Sequence, residues 1–229
     1  MATTVSFQDG VHPDAGYEST DGEMKSSTPD TGNGTKSTIE VGYTQTGTVI
    51  QRAVVEFDLS SIPTGAVVQK AQLTLYIGTA ASGSLDWTIL RGTEAFDETA
   101  GMPTWNNKNS LDTWAEAGGS PATALTLSDA TYTMPVLSGR STTVSITDLV
   151  DDAVRNRSGI LRMIIKSDTE AGGTSDTFVF SSCDHGTAGR HPQVDVTYVP
   201  GKGTGRPGMH STKQFSKFHA AKNKRHFRT

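Results

Sequence analysis

The run Arg52-Ala53-Val54-Val55-Glu56-Phe57-Asp58-Leu59 decides the fold class. Ala53, Val55, Phe57 and Leu59 share one parity, and Arg52, Glu56 and Asp58 share the other. Successive side chains of a strand point to opposite faces, so this alternation predicts a half-buried strand. Working outward, Ala71, Leu73, Leu75 and Ile77 alternate with Gln72, Thr74 and Tyr76. Leu85, Trp87 and Ile89 repeat the pattern. Val144 and Ile146 follow it, as do Leu161, Met163 and Ile165, then Phe178 and Phe180, and finally Val194, Val196 and Tyr198. Turn signals separate these runs at Pro63-Thr64-Gly65, Ala81-Ser82-Gly83, Ser138-Gly139, Gly172-Gly173 and Gly186. Strands without intervening helices predict an all-β, jelly-roll-like antiparallel β-sandwich rather than a parallel α/β sheet.

One short helix is expected at Asp148–Arg155. Thr147 is its candidate cap, and Asp148, Asp151 and Asp152 suit its positive end. Two stretches, 8–35 and 97–121, read as long loops poor in strand signal. Loops of that length on a sandwich are commonly functional.

The 229 residues divide into a domain at 1–199 and an extension at 200–229. Formal charge is −4 overall, but the first 199 residues carry 12 basic and 24 acidic side chains. The extension carries eight basic residues and no acidic ones. It opens on a Gly-rich hinge, and its expected anchoring residues are Lys213, Phe215, Lys217, Phe218, Lys222, Lys224, Arg225, Phe227 and Arg228. Such asymmetry predicts an arm that docks on an acidic partner in a multi-copy assembly, with nucleic acid a weaker alternative. The single Cys183 excludes an internal disulfide and an all-cysteine zinc site. No apolar run is long enough for a membrane-spanning helix, and Met1–Val5 lacks the features of a secretory signal.

Several of these segments are similar to the DNRLRE domain family, a carbohydrate-binding-module-like group related to the disaggregatase repeat. Arg52 through Ala66, RAVVEFDLSSIPTGA, resembles its "FDLSsIPxGA" signature. Ala71-Gln72-Leu73-Thr74-Leu75-Tyr76 looks like its following strand. Thr104-Trp105-Asn106, Trp114 with Gly118-Gly119, Ile146 through Val150, Asn156 with Gly159, Phe180-Ser181-Ser182 and Pro192 through Tyr198 fall in the family's order. The resemblance covers roughly residues 4–199. Phe96 stands where the family has Trp, and Ala153 or Val154 replaces its helix Trp. The resemblance implies a sandwich with glycan-binding or adhesive roles and no catalytic centre.

Sugar rings stack on flat aromatic faces while amides and carboxylates bond their hydroxyls. Trp105 and Trp114 are therefore the candidate carbohydrate platforms, with Asn106 and Asn107 beside them. The competing expectation is that both tryptophans pin the 97–121 loop to the sandwich. Trp87 has core parity. Acidic residues Asp9, Asp14, Glu18, Asp21, Glu23 and Asp30 leave calcium open as the one candidate ion, although no EF-hand-like spacing is present. The neighbours Asp97 and Glu98 do not make a catalytic pair by spacing alone. Ser181-Ser182-Cys183-Asp184-His185 lacks the strand-to-helix elbow of a nucleophile. Two functions are expected from this: a non-enzymatic structural protein of a virion, anchored by its arm, or a carbohydrate-binding module of an extracellular system.

Overall fold

The structure, a computed structural model, describes residues 1–44, 48–79, 85–119, 130–134, 139–168, 170 and 175–201. The arm residues 213–228 and the turns at 81–83 and 172–173 lie outside the described residues. Eleven strands are described. They are β1 (Thr3–Gln8), β2 (Thr20–Lys25), β3 (Thr38–Thr44), β4 (Val49–Asp58), β5 (Val67–Thr79) and β6 (Leu85–Arg91), then β7 (Ala130–Met134), β8 (Arg140–Ser145), β9 (Ile160–Ser167), β10 (Asp176–Ser181) and β11 (Gln193–Val199). Every described pairing is antiparallel, in the order β1-β11-β5-β10-β3-β4-β9-β6-β7, with β2 joined to β4 and β8 to β5. The sheet curls into a β-sandwich-like, all-β fold.

Curling brings the two ends of this order face to face. Leu73, Leu75 and Ile77 of β5 and Val194 and Val196 of β11 share one core with Ala53, Val55 and Phe57 of β4 and Met163 and Ile165 of β9. Trp87 on β6 meets Phe178 on β10 at 5.4 Å between ring centroids, and Phe178 stacks on Phe180 at 6.0 Å. The alternating parity of these residues is what places them inward.

Helix α1 (Thr147–Asn156) packs Leu149, Val150, Ala153 and Val154 against β5 and β9, adding them to the same core. The expected cap is corrected: the N-cap is Ile146, and no side chain caps the helix. Thr147 Oγ1 instead accepts a hydrogen bond from Ala71 N at 3.0 Å, fastening the helix to β5. Of the three acids expected at the positive end, only Asp148 lies in the first turn, and Asp152 bonds elsewhere. It accepts from Arg157 at 2.7 Å, Asn156 at 2.9 Å and Arg91 at 3.1 Å, tying α1 to β6.

The 8–35 stretch is not all loop. Its Thr20–Lys25 segment, TDGEMK, pairs with β4 from Thr20↔Glu56 to Lys25↔Gln51. The pattern failed because this strand buries charge. Asp21 is 0 % and Glu23 2 % exposed. Glu23 is compensated by Lys36 Nζ at 2.9 Å and by the Glu40 N–H at 2.9 Å.

Candidate functional site

The outer face of β4 and β9, expected to be solvated, is covered. Val54 and Ile164, of opposite parity to the main core, join Met24 and Trp114 in a second buried cluster, with Leu90, Phe96 and Trp105 packed against it. The 97–119 segment forms this cover. Its close seating needs small residues beneath it. A Cβ on Gly34 would collide with the backbone oxygens of Met102 and Thr99, and one on Gly22 with the Pro103 ring.

The structure separates the two candidate tryptophans. Trp114 is 5 % exposed, and its Nε1 donates to Thr104 O at 3.0 Å. It pins the cover, as the competing expectation had it, and offers no face for stacking. Trp105 is half-buried. The Arg52 guanidinium lies 5.0 Å from its ring centroid, and Arg52 is held in place by paired 2.7 Å bonds to Glu170 and a 3.0 Å bond to Gly118 O. Asn106 Nδ2 donates to Asp30 Oδ1 at 2.9 Å, and Asn107 Nδ2 lies 3.5 Å from the same oxygen. The Asn106 N–H donates to Pro29 O at 3.0 Å. Trp105, Asn106, Asn107 and Asp30 thus form one ledge. Asp30 entered the sequence reading only as an acidic residue; its pairing across 76 positions carries no local signal.

The remaining acidic residues of 8–35 disperse. Asp9 accepts from Ser19 N, Asp21 accepts from Cys183 N, Glu23 pairs with Lys36, and Asp14 and Glu18 line a cavity. Among the described residues no group of three His, Cys, Asp or Glu side chains is arranged to hold a metal.

A buried acidic pair fastens the cover from the other side. Asp21 N donates to Glu98 Oε1 at 2.8 Å, and Cys183 N donates to Asp21 Oδ2 at 2.7 Å. Asp21 Oδ1 is buried without a partner. Burial pushes the Asp21 carboxyl up to about 7, with Asp184 and Asp9 adding repulsion. Burial likewise pushes Glu98 up to about 8, with the Asp21 charge contributing. The Cys183 thiol, 3.0 Å from Ser19 Oγ, is driven well above its ordinary value by burial and by Asp21. That is the reverse of an activated thiolate. The Ser182 hydroxyl donates to Lys36 O and accepts from Asp184 N. His185 Nδ1 accepts from Thr187 N at 3.1 Å. The 181–185 run is a turn closed by these bonds.

A cavity of about 460 Å³ was missed by sequence reading. It lies between the 13–18 loop and the 58–61 turn. Phe7 and Tyr17, 5.7 Å apart, wall it together with Asp14, Glu18 and Asp58. Its polar residues look like ordinary turn formers, and only the tertiary approach of the two loops brings them around one cavity.

The model of carbohydrate-binding module family 96 matches residues 18–198. No curated protein matches the chain. The match includes both β4 and the ledge, and of the two functions expected from sequence it supports the carbohydrate-binding module; it lends nothing to the virion reading.

Proposed function

The chain belongs to carbohydrate-binding module family 96, and from that premise we propose that it is a non-catalytic module that binds a neutral glycan outside the cell at the ledge of Trp105, Asn106, Asn107 and Asp30. The observation that carries the site is the convergence of both asparagine amides on Asp30 beside a half-buried indole. Each amide and the carboxylate keep hydrogen-bonding capacity beyond the bonds they make to one another. An indole supplies apolar area for the C–H face of a sugar at little entropic cost. Arg52, the cation over the Trp105 ring, is already bound by Glu170, which lowers its pull on an anionic polymer. The excess of acidic residues over residues 1–199 opposes such polymers further.

The test is a glycan array followed by titration calorimetry on Trp105→Ala and Asn106→Ala, each checked for an unchanged circular-dichroism spectrum. Neutral polysaccharides bind the native module and are lost in both variants. An array without any glycan signal, or undiminished binding by both variants, refutes the ledge as the site.

A further inference from the structure

The cavity between the 13–18 loop and the 58–61 turn shares no residue with the ledge. At about 460 Å³ it falls inside the range of roughly 300–1,000 Å³ typical of small-molecule sites. Three of its lining groups are carboxylates, and none of its lining residues is cationic. Asp14 accepts one bond from Gly16 N and Asp58 one from Ser60 N, each at 2.8 Å. Both stand at exposed positions, as does Glu18. A carboxylate offers about four acceptor sites, so most of this capacity is uncommitted. On the apolar side stands the ring of Tyr17, backed by Phe7. The Tyr17 hydroxyl is buried without a well-formed hydrogen bond. Ser60 and Ser61 complete the rim with two hydroxyls.

A cavity lined by an aromatic ring and three carboxylates selects a ligand that carries both a C–H face and a positive charge. We propose that this cavity is a second binding site, specific for a protonated amino sugar bearing a free ammonium group. The sugar character rests on the family reading, but not on the ledge. The ammonium group sits among Asp14, Glu18 and Asp58, the ring lies against Tyr17, and its hydroxyls reach Ser60 and Ser61. N-acetylation removes the charge and with it the charge-assisted bonds. A uronic acid is repelled by the same three groups.

The experiment is a ¹⁵N-NMR titration of the full chain at pH 6, where the sugar amine carries its proton. The probes are a fully deacetylated glucosamine tetramer, its N-acetylated counterpart and a lysine-rich peptide. The deacetylated tetramer is expected to shift amides within 14–18 and 58–61, and to bind at least about tenfold more tightly than the acetylated one. The triple variant Asp14→Asn, Glu18→Gln, Asp58→Asn, which changes only exposed positions, loses that preference. Equal affinity for both tetramers, shifts confined to 104–107, an unaffected triple variant, or a peptide bound as tightly with the same shifts overturns the assignment. Binding that survives Trp105→Ala supports it, whatever becomes of the ledge.

Discussion

Replacing Asp21 by Asn removes a proton-binding group from beneath the 97–119 cover while keeping a carbonyl oxygen for the Cys183 N–H. Folded Asp21 holds its proton up to about pH 7, whereas the ordinary value is 3.8. Between those values the folded state binds more protons than the unfolded chain. Stability therefore falls as pH rises through that window, and this contribution is fully present only below it. One such proton is worth about 1.4 kcal/mol per pH unit. From pH 5 to pH 7 the native protein should lose about 2–3 kcal/mol that the Asp21→Asn variant does not lose. Glu98, raised to about 8, slopes the same way in both proteins, but its share shrinks in the variant because the Asp21 charge is one cause of its shift. Asp9, Asp184 and Cys183 are the other titratable groups acting on this site. The assay is urea unfolding at pH 5, 6, 7 and 8, read as midpoint and slope. Native stability that climbs from pH 5 to 7, or a variant with the native pH slope, refutes the reasoning.

Gly34→Ala drives a methyl group into the backbone at Met102 and Thr99. It should cost about 1–3 kcal/mol, seen as a lower thermal midpoint with red-shifted tryptophan emission as the cover lifts. Trp114→Ala empties the centre of the second cluster and should cost about 3–5 kcal/mol by urea unfolding. It weakens glycan binding only in proportion to the cover that is displaced. Deleting residues 200–229 should leave both the glycan affinity and the unfolding midpoint of the module unchanged, as measured by calorimetry and denaturant titration. A loss of either would show that the extension belongs to the domain.

The main core was legible because β4, β5, β9 and β11 put apolar residues at one parity, and burial followed parity. Val54 and Ile164 were not legible as core. Their faces look solvent-directed until a segment some fifty positions away folds over them. β2 was missed for a related reason: Asp21 and Glu23 occupy buried positions that strand patterns reserve for apolar residues, and long-range bonds compensate them. Trp105, Asn106 and Asn107 are of types that suit sugar contact, and Trp114, of the same type, is buried in the cover. Residue type gives the chemistry on offer; only packing decides which groups remain free to use it. The cavity lined by Tyr17 lay beyond sequence reading because its two walls are about forty residues apart.

β1 and β11 lie side by side, with Thr3 opposite Tyr198 and Gln8 opposite Gln193. The entry and exit of the domain are therefore neighbours on one edge. A host polypeptide could receive the module within a surface loop and continue with little detour. The same adjacency makes circular permutation feasible, with a short bridge joining positions 3 and 198 and new ends opened elsewhere. A binding unit built this way can be moved between larger proteins without rearranging either partner.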